Sequence, residues 1–185
     1  MYQKKKTNQP FKASSQKFYN KHKEDPMKNK IHKTNAARLL DELAVSYELI
    51  PYEVDEENLS ALHVAQTLGQ NVEQVYKTLV LRGDKTGFFV CVIPGGAELD
   101  MKAAARASGN KSCEMLHVKE LMPVTGYVRG GCSPLGMKKH FPTFVHEDAV
   151  LWDHIYVSAG QRGLQIKIAP ADLLKAAQAQ DVKLC

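Results

Sequence analysis

The segment TGYVRGGCSPLG, residues 125–136, contains the residue types and spacing that most clearly suggest chemistry. Gly130 and Gly131 are adjacent, and because glycine has no Cβ the backbone can approach a ligand there and direct its N–H groups at it. Residues 126–128 are predicted to form a strand that leads into this loop. The segment therefore predicts a rigid backbone cradle for a polar group.

The loop does not fit two common glycine-containing motifs. A phosphate-binding P-loop requires Lys and then Ser or Thr after its last glycine, and Met137 and Lys138 stand there instead. The nucleophile elbow G-x-S-x-G fails because two residues separate Ser133 from Gly136. It also fails because Pro134 has no N–H to contribute to an oxyanion hole.

Cys132 is the remaining candidate nucleophile in the loop. A reactive cysteine needs a neighbouring histidine or another cation to lower its pKa, and His140 and His146 are the nearby candidates. With seven histidines in 185 residues, closeness in sequence carries little weight. Cys132 is therefore interpreted as a buried or pocket-lining thiol. A hydrolase built on this loop is expected to work without a covalent intermediate.

The formal net charge of +5 is distributed unevenly along the chain. Residues 1–33 contain ten lysines and two acidic residues, whereas residues 34–185 contain fifteen basic and eighteen acidic residues. The first segment has few apolar residues and no helical or strand period. It is interpreted as a basic, disordered N-terminal extension, and the alternative is a basic arm that steers a polyanion. Residues 34–185 are predicted to form one folded domain.

The four cysteines, at positions 91, 113, 132 and 185, form no C-x-x-C pair and have no zinc-ligand spacing. Neither a metal nor any other cofactor is expected. No segment has the pattern of a signal peptide, and none approaches the roughly 18 apolar residues of a membrane-spanning helix. These observations predict a cytoplasmic protein with reduced thiols and no membrane partner.

The strands around the loop are predicted from alternation and turn residues. Strands 76–82 and 88–93 form one predicted hairpin, and strands 154–158 and 164–168 form a second. A further strand over residues 47–52 is expected at a sheet edge because of Pro51.

Helices are predicted from capping residues and apolar spacing, and they are interspersed with the strands. This mixed order predicts an α+β fold, a single domain with a mixed, barrel-like β-sheet flanked by helices. The predicted helices cover residues 35–44, 61–68 and 101–108, a short segment near Lys119, and the segment that starts at Pro170.

Three segments, taken together and in this order, resemble the YbaK/EbsC family of free-standing editing domains. They are VYKTLV (75–80), TGYVRGGCSPLG (125–136) and IYVSAGQRG (155–163). The family is related to the inserted editing domain of bacterial prolyl-tRNA synthetases. The resemblance covers residues 34–182, is greatest to the cysteinyl-tRNA(Pro) deacylase branch, and implies the fold of these editing domains.

The resemblance also implies roles for individual residues. Lys77 matches the family's essential lysine, and Gly130 matches the loop glycine whose backbone faces the reacting ester. Without the resemblance, the usual interpretation of a lysine on a strand is that its side chain extends to solvent. The apolar residues 79–81 place this strand in the core and favour the functional interpretation. The implied substrate-binding residues are Tyr52, Leu59, Gly131, Cys132, Ser133, Pro134, Ser158 and Gln165.

Two of these positions depart from the family pattern. Leu59 stands where a related phenylalanine is found, and Gln165 replaces an aspartate. Both changes bear on the selectivity of the pocket rather than on the reaction.

The implied activity is trans-editing, in which a mischarged aminoacyl-tRNA, Cys-tRNA(Pro) above all, is deacylated to protect translation fidelity. The N–H groups of Gly130 and Gly131 would stabilise the oxyanion, without a metal or a protein nucleophile. The implied partners are the aminoacylated 3′ end of tRNA and prolyl-tRNA synthetase. The resemblance implies classification as a hydrolase and also as a lyase, and related enzymes have been proposed to let the substrate's own thiol displace the tRNA. Two alternatives stay open: editing of Ala- or Ser-charged tRNA, and a non-catalytic RNA-binding or regulatory module of the same fold.

Overall fold

The computed structural model describes residues 32–185, and within them helices and strands alternate without a repeating pattern. The helices are α1 (Asn35–Glu42), α2 (Ala61–Leu68), α3 (Met101–Ala107), α4 (Val118–Thr125) and α5 (Pro170–Ala177), with short 3-10 helices at Val72–Gln74 and Glu147–Leu151. The strands are β1 (Tyr47–Pro51), β2 (Tyr76–Gly83), β3 (Gly87–Pro94), β4 (Cys113–Met115), β5 (Thr143–His146), β6 (Ile155–Ser158), β7 (Leu164–Ile168) and β8 (Gln180–Val182).

The strands form two sheets. The smaller sheet is antiparallel with the order β1-β7-β6, and the larger sheet has the order β4-β2-β3-β5-β8, with β5 parallel to both of its neighbours. A single bridge between Val75 and Tyr156 connects the two sheets. The α+β class and the mixed sheet are thus confirmed, while the described strands do not close into one continuous barrel.

The central strand of the larger sheet is buried on both faces. One face of β3 contributes Val90 and Val92 to the main core, which residues of both sheets and of helices α1 and α5 complete. The other face contributes Phe89 and Cys91 to a second cluster that packs against Ala104 of α3. Burial on both faces explains the nearly continuous apolar sequence of this strand.

Local sequence signals define most boundaries. Thr34 caps α1, and its side chain accepts a hydrogen bond from Ala37 N–H. Asp100 caps α3 in the same way, through Lys102 N–H and Ala103 N–H. Gly69 ends α2 in the left-handed conformation, with φ of 63°, which glycine adopts without strain. The predicted helix boundaries are confirmed at these positions, and the two predicted hairpins are confirmed as the antiparallel pairs β2–β3 and β6–β7.

The predicted strand over residues 126–128 is wrong. Helix α4 continues to Thr125, and Gly126 ends it with φ of 85°. The following residues are then held by side chains rather than by a neighbouring strand. Thr125 Oγ1 accepts from Tyr127 N–H at 3.0 Å, and Tyr127 O–H donates to the Leu135 carbonyl at 2.6 Å. The glycine loop therefore starts from a helix end and is fixed to the core by Tyr127.

Residues 1–31, which make up almost all of the predicted basic extension, lie outside the described residues. The boundary between residues 33 and 34 stays a prediction. The folded domain that positions the candidate site is described from its first helix onward.

Candidate active site

A cavity of about 520 Å³ opens between the two sheets. Its walls come from the start of α2, the first half of β2, the loop after β3, the glycine loop, and the facing strands β6 and β7. Six of the ten residues predicted for the site line this cavity: Leu59, Lys77, Gly130, Cys132, Ser158 and Gln165.

The cavity lies at an unpaired edge of β2. Strand β4 pairs only with Leu81–Gly83, so the first half of β2 has no strand neighbour on that side among the described residues. Successive side chains leave a strand on opposite faces, and so Lys77 and Thr78 point to different sides of β2. Both line the cavity because it wraps around this free edge.

Lys77 is half-buried and held by backbone carbonyls. Its Nζ donates to Gly95 O at 3.0 Å and to Ala97 O at 2.7 Å. Among residues 32–185 it forms no ion pair with a carboxylate. An ammonium has three N–H donors, so one remains for a group in the cavity. Lys77 is therefore a fixed positive charge with an available donor rather than a lysine extended into solvent.

Gly130 occupies the third position of a tight turn. Gly131 N–H donates to Val128 O at 3.0 Å and closes the turn, and Gly130 has φ of 81°. This combination defines a type II turn, which favours glycine at that position. A Cβ on Gly130 would lie 3.1 Å from the Leu59 side chain. No protein acceptor for the Gly130 N–H is present in the part of the chain that the structure describes.

The expectation that both glycines of the loop offer N–H groups to an oxyanion is corrected at Gly131. Its N–H is used by the turn. A Cβ on Gly131 would lie 3.0 Å from Arg162 N and from Gln161 C. Glycine is thus needed at 131 for close packing against the β6–β7 loop, and Gly130 is left as the donor.

The other predicted site residues lie outside the cavity lining. Ser133 is fully buried, and its Oγ accepts from Leu135 N–H at 3.2 Å. Pro134 lines a different, smaller cavity beside Leu135. Tyr52 packs against the apolar cluster around Val75, and its N–H donates to Gly163 O at 3.0 Å. With Gly131, these residues support the walls of the site.

Among residues 32–185, three buried side-chain atoms have no hydrogen-bond partner: Tyr76 O–H, Thr78 Oγ1 and Gln165 Oε1. Thr78 and Gln165 line this cavity, whereas Tyr76 also lines a second cavity, beside Glu73, Asp148 and Cys185. Buried polar atoms without partners cost about 1–3 kcal/mol each, so native proteins rarely keep them without a reason. The unpartnered atoms of Thr78 and Gln165 indicate that a polar ligand completes the hydrogen bonding in this cavity.

Cys132 lines the cavity, but its environment opposes thiolate formation. Burial raises the pKa of its thiol to about 12, and a hydrogen bond with Thr125 opposes this shift only partly. Neither candidate histidine lines the cavity. His140 contacts Ala177 O, while His146 accepts from Leu184 N–H and lies 3.3 Å from Asp148. Cys132 thus has the features of a lining thiol.

The loop after β3 was not predicted as part of the site, although it contributes Gly95, Gly96, Ala97 and Glu98 to the cavity. A Cβ on Gly95 would lie 2.6 Å from Ala61 Cβ and 2.9 Å from Val75 O. This close packing holds the carbonyl that Lys77 binds. The signal was a pair of adjacent glycines, as at Gly130 and Gly131, here directly after strand β3.

Within residues 32–185, no helix is long and apolar enough to cross a membrane. In the same range, no group of three or more His, Cys, Asp or Glu side chains is arranged to hold a metal ion.

Comparison with known proteins identifies related sequences and structures. Residues 55–176 match the sequence model of the aminoacyl-tRNA editing domain. The chain is 51% identical over 148 residues, which are 80% of this chain and 90% of the relative, to the "Putative Cys-tRNA(Pro)/Cys-tRNA(Cys) deacylase EbsC" of Enterococcus faecalis.

Two solved structures share the fold. The first is described as "a putative trans-editing enzyme for prolyl tRNA synthetase", with a TM-score of 0.70, 25% identity, and coverage of 81% of this chain and 96% of that chain. The second is the hypothetical protein APE2540, with a TM-score of 0.72, 20% identity, and coverage of 80% and 99%. The predicted relation to editing domains is confirmed.

The implied classification as a lyase is wrong. The relative that is 51% identical is named as a deacylase, and the matching family is an editing domain. Removal of an acyl group from tRNA is hydrolysis of an ester, so only the hydrolase classification agrees with these findings.

Proposed function

The chain belongs to the aminoacyl-tRNA editing domain family, and from this we propose that it is a trans-editing hydrolase that deacylates Cys-tRNA(Pro). The observation that carries the proposal is the cavity at the free edge of β2. Lys77 Nζ, the Gly130 N–H and two buried polar atoms that have no partner among residues 32–185, Thr78 Oγ1 and Gln165 Oε1, belong to residues that line this one space. An aminoacyl ester presents polar groups that match such a lining.

The reaction requires a water molecule to add to the ester carbonyl carbon. The carbonyl oxygen then becomes an oxyanion. When this intermediate collapses, the bond to the ribose oxygen breaks, and that oxygen takes up the proton lost by the water and leaves as a hydroxyl group. In the proposed arrangement the Gly130 N–H donates to the oxyanion, and the remaining N–H of Lys77 stabilises the same developing charge. One such donor contributes about 3–4 kcal/mol in well-studied enzymes.

No side chain of the protein is proposed to form a covalent bond with the substrate. Among the residues that line the cavity, Cys132 is the candidate nucleophile that the sequence singled out. Burial raises the pKa of its thiol to about 12. It is therefore protonated at neutral pH. Binding the ester rigidly in a space removed from bulk water then supplies much of the rate acceleration.

Selectivity is assigned to the wall formed by β6 and β7. Gln165 is 5% exposed and lies opposite Ser158 in the antiparallel pair. Its Oε1 has no partner among residues 32–185, so it can accept a hydrogen bond from the amino group or the side chain of the bound amino acid. Leu59 closes the other side over Gly130. A small amino acid with one donor group in its side chain fits this lining.

A separate hydrolase is useful because a synthetase pocket cannot strongly reject an amino acid of similar size. One methylene contributes only about 1–3 kcal/mol to discrimination. A second site that hydrolyses the wrong product raises the overall accuracy. We propose that the aminoacylated 3′ end of tRNA is the substrate, with prolyl-tRNA synthetase as a functional partner.

The test is a deacylation panel with the full chain. Cysteine, alanine, serine and proline are each charged on tRNA(Pro), and cysteine is also charged on tRNA(Cys). We expect the highest rate with Cys-tRNA(Pro) and no acceleration with Pro-tRNA(Pro). A preference for alanine or serine would change the substrate, and tRNA binding without hydrolysis would identify a non-catalytic module.

A further inference from the structure

The peptide unit between Arg129 and Gly130 is held from outside the cavity. Its carbonyl oxygen, which belongs to Arg129, accepts a hydrogen bond from Arg162 Nε at 3.0 Å. Its N–H is the Gly130 donor described above. A trans peptide unit is planar, and its C=O and N–H point in opposite directions. The contact that fixes the carbonyl therefore also fixes the direction of the Gly130 N–H.

The turn alone does not determine this direction. Type I and type II turns differ by rotation of the central peptide unit, and both can keep the hydrogen bond between their first and fourth residues. Here that bond joins Gly131 N–H to Val128 O. It is compatible with either orientation of the Arg129–Gly130 unit. The Arg162 contact stabilises the orientation seen here, with Gly130 φ of 81°.

Arg162 is itself positioned by the β6–β7 loop. This loop is bounded by Gly160 and Gly163, both with positive φ, and its backbone at Arg162 packs against Gly131. The Arg162 Nη1 atom pairs with Glu56 Oε2, on the far side of the guanidinium. Glu56 is largely exposed and Arg162 is about two-thirds buried, with 32% of its side chain exposed. The guanidinium is thus held in one geometry by two acceptors.

We propose that Arg162 is a positioning residue for the reaction, acting through the Arg129 carbonyl to direct the Gly130 N–H at the ester oxyanion. The inference rests on the proposed function, since it assigns a role within that site. Arg162 does not line the cavity, so it acts through the peptide unit and not by touching the reacting atoms. The pair with Glu56 supports the orientation of the guanidinium, and a surface pair of this kind contributes modestly.

The kinetic test compares Arg162→Gln, Arg162→Lys and Glu56→Gln in single-turnover deacylation with enzyme in saturating excess. For Arg162→Gln we expect the rate at saturation to fall about tenfold, less than the roughly 100-fold loss of a whole oxyanion donor, because the N–H is still present. The lysine variant keeps a donor for the Arg129 carbonyl and should recover part of the rate. Glu56→Gln should lose only a few-fold. Lys175→Gln, which removes one exposed charge from α5 outside the cavity, is the matched control.

A second readout follows the peptide unit directly. The sequence contains three Arg–Gly pairs, at 82–83, 129–130 and 162–163. Labelling arginine with carbonyl ¹³C and glycine with ¹⁵N therefore gives three one-bond carbonyl–nitrogen correlations in NMR. In Arg162→Gln the 162–163 signal disappears, and the 129–130 signal should shift. The 82–83 signal should stay in place and serves as the control for an intact fold.

These outcomes separate the inference from the proposed function. An unchanged saturating rate in Arg162→Gln would overturn the positioning role. A fall in tRNA affinity alone would also overturn it, since Arg162 would then act by binding the RNA. A slower rate with an unshifted 129–130 signal would overturn it too, since Arg162 would then act elsewhere than on this peptide unit. If the wild-type protein deacylates no member of the panel, the proposed function fails, and the NMR comparison still tests whether Arg162 fixes this peptide unit.

Discussion

At the scale of single residues, the site depends on one charged side chain with a defined set of contacts. Lys77 donates to two carbonyls of the loop after β3 and keeps one donor for the cavity. Each of these hydrogen bonds contributes about 1.5–3 kcal/mol, because the donor is charged. The side chain thus both supports the loop and supplies the positive charge of the proposed reaction.

Replacement of Lys77 by alanine tests this assignment. We expect the deacylation rate to fall at least about 100-fold, comparable to loss of an oxyanion donor, while circular dichroism shows an intact fold. The matched control is Lys167→Ala, which removes another partly buried strand lysine that lies outside the cavity lining. Near-normal turnover by Lys77→Ala would remove this residue from the mechanism.

Cys132 gives a prediction about activity. Because burial raises the pKa of its thiol, Cys132→Ala should keep at least about a third of the wild-type rate, a loss of under 1 kcal/mol in transition-state stabilisation. The measurement is the single-turnover rate combined with mass spectrometry of the acid-quenched protein. An acyl adduct on Cys132 would contradict the proposed absence of a covalent intermediate.

The same thiol gives a prediction about pH and stability. The folded-state pKa is raised from 9.0 to about 12, so above pH 9 the unfolded thiol ionises while the folded thiol stays protonated. Unfolding is therefore favoured as the pH rises from 9 towards 12, by up to about 1.4 kcal/mol per pH unit for one such group. In urea unfolding, Cys132→Ala should lose less stability between pH 9 and 10.5 than the wild type, with equal slopes between pH 6 and 8. Identical alkaline slopes would show that Cys132 ionises equally in both states.

At the scale of elements, the glycine loop is a turn that joins helix α4 to the core and leaves one N–H without a partner among the described residues. Gly130→Ala places a Cβ at positive φ, at a cost of about 1–2 kcal/mol, and 3.1 Å from Leu59. Gly87→Ala is a close match, since Gly87 has φ of 78° and nothing within 4 Å of its Cβ position.

We expect both alanine variants to lower the free energy of unfolding by similar amounts, and only Gly130→Ala to lose most of its deacylation rate. Urea unfolding and single-turnover kinetics of the two proteins make the comparison. Equal activity losses in both variants would mean that the effect comes from general backbone strain rather than from the cavity.

Local signals in the sequence were sufficient for the hairpins and for the capped helices. They could not reveal strand β5, whose four residues pair in parallel with β3 and β8, because parallel neighbours come from distant segments. They also gave residues 126–128 as a strand, although Thr125 and Tyr127 bind this segment into an irregular loop. Among the six lining residues, Gly130 and Cys132 were singled out from the loop itself and the other four came from a family resemblance. The Lys77 carbonyl contacts and the Arg162 contact required coordinates.

At the scale of the whole molecule, charge separates the chain into two parts. Residues 34–185 carry three more acidic than basic residues, and the basic excess is concentrated in residues 1–33. A folded domain with this net negative charge is poorly suited to bind a polyanion on its own. Affinity for tRNA is therefore expected to be modest and to depend on salt.

Deletion of residues 1–26 tests the contribution of the basic segment. We expect weaker tRNA binding and a smaller slope of log affinity against log salt, because lysine–phosphate contacts that release counterions are lost. Fluorescence anisotropy with labelled tRNA(Pro) between 50 and 200 mM salt measures both quantities. The ratio of rates for cysteine and alanine should not change, because that selectivity belongs to the cavity. An unchanged affinity and slope would mean that the segment does not bind RNA.

The central claim is that this protein hydrolyses the ester of Cys-tRNA(Pro). The most direct measurement is the release of free cysteine by the full chain in water enriched in ¹⁸O, analysed by mass spectrometry. We predict release well above the buffer rate, with one ¹⁸O in the cysteine carboxyl group and intact tRNA(Pro). No acceleration over buffer, or released cysteine products without ¹⁸O, would contradict it.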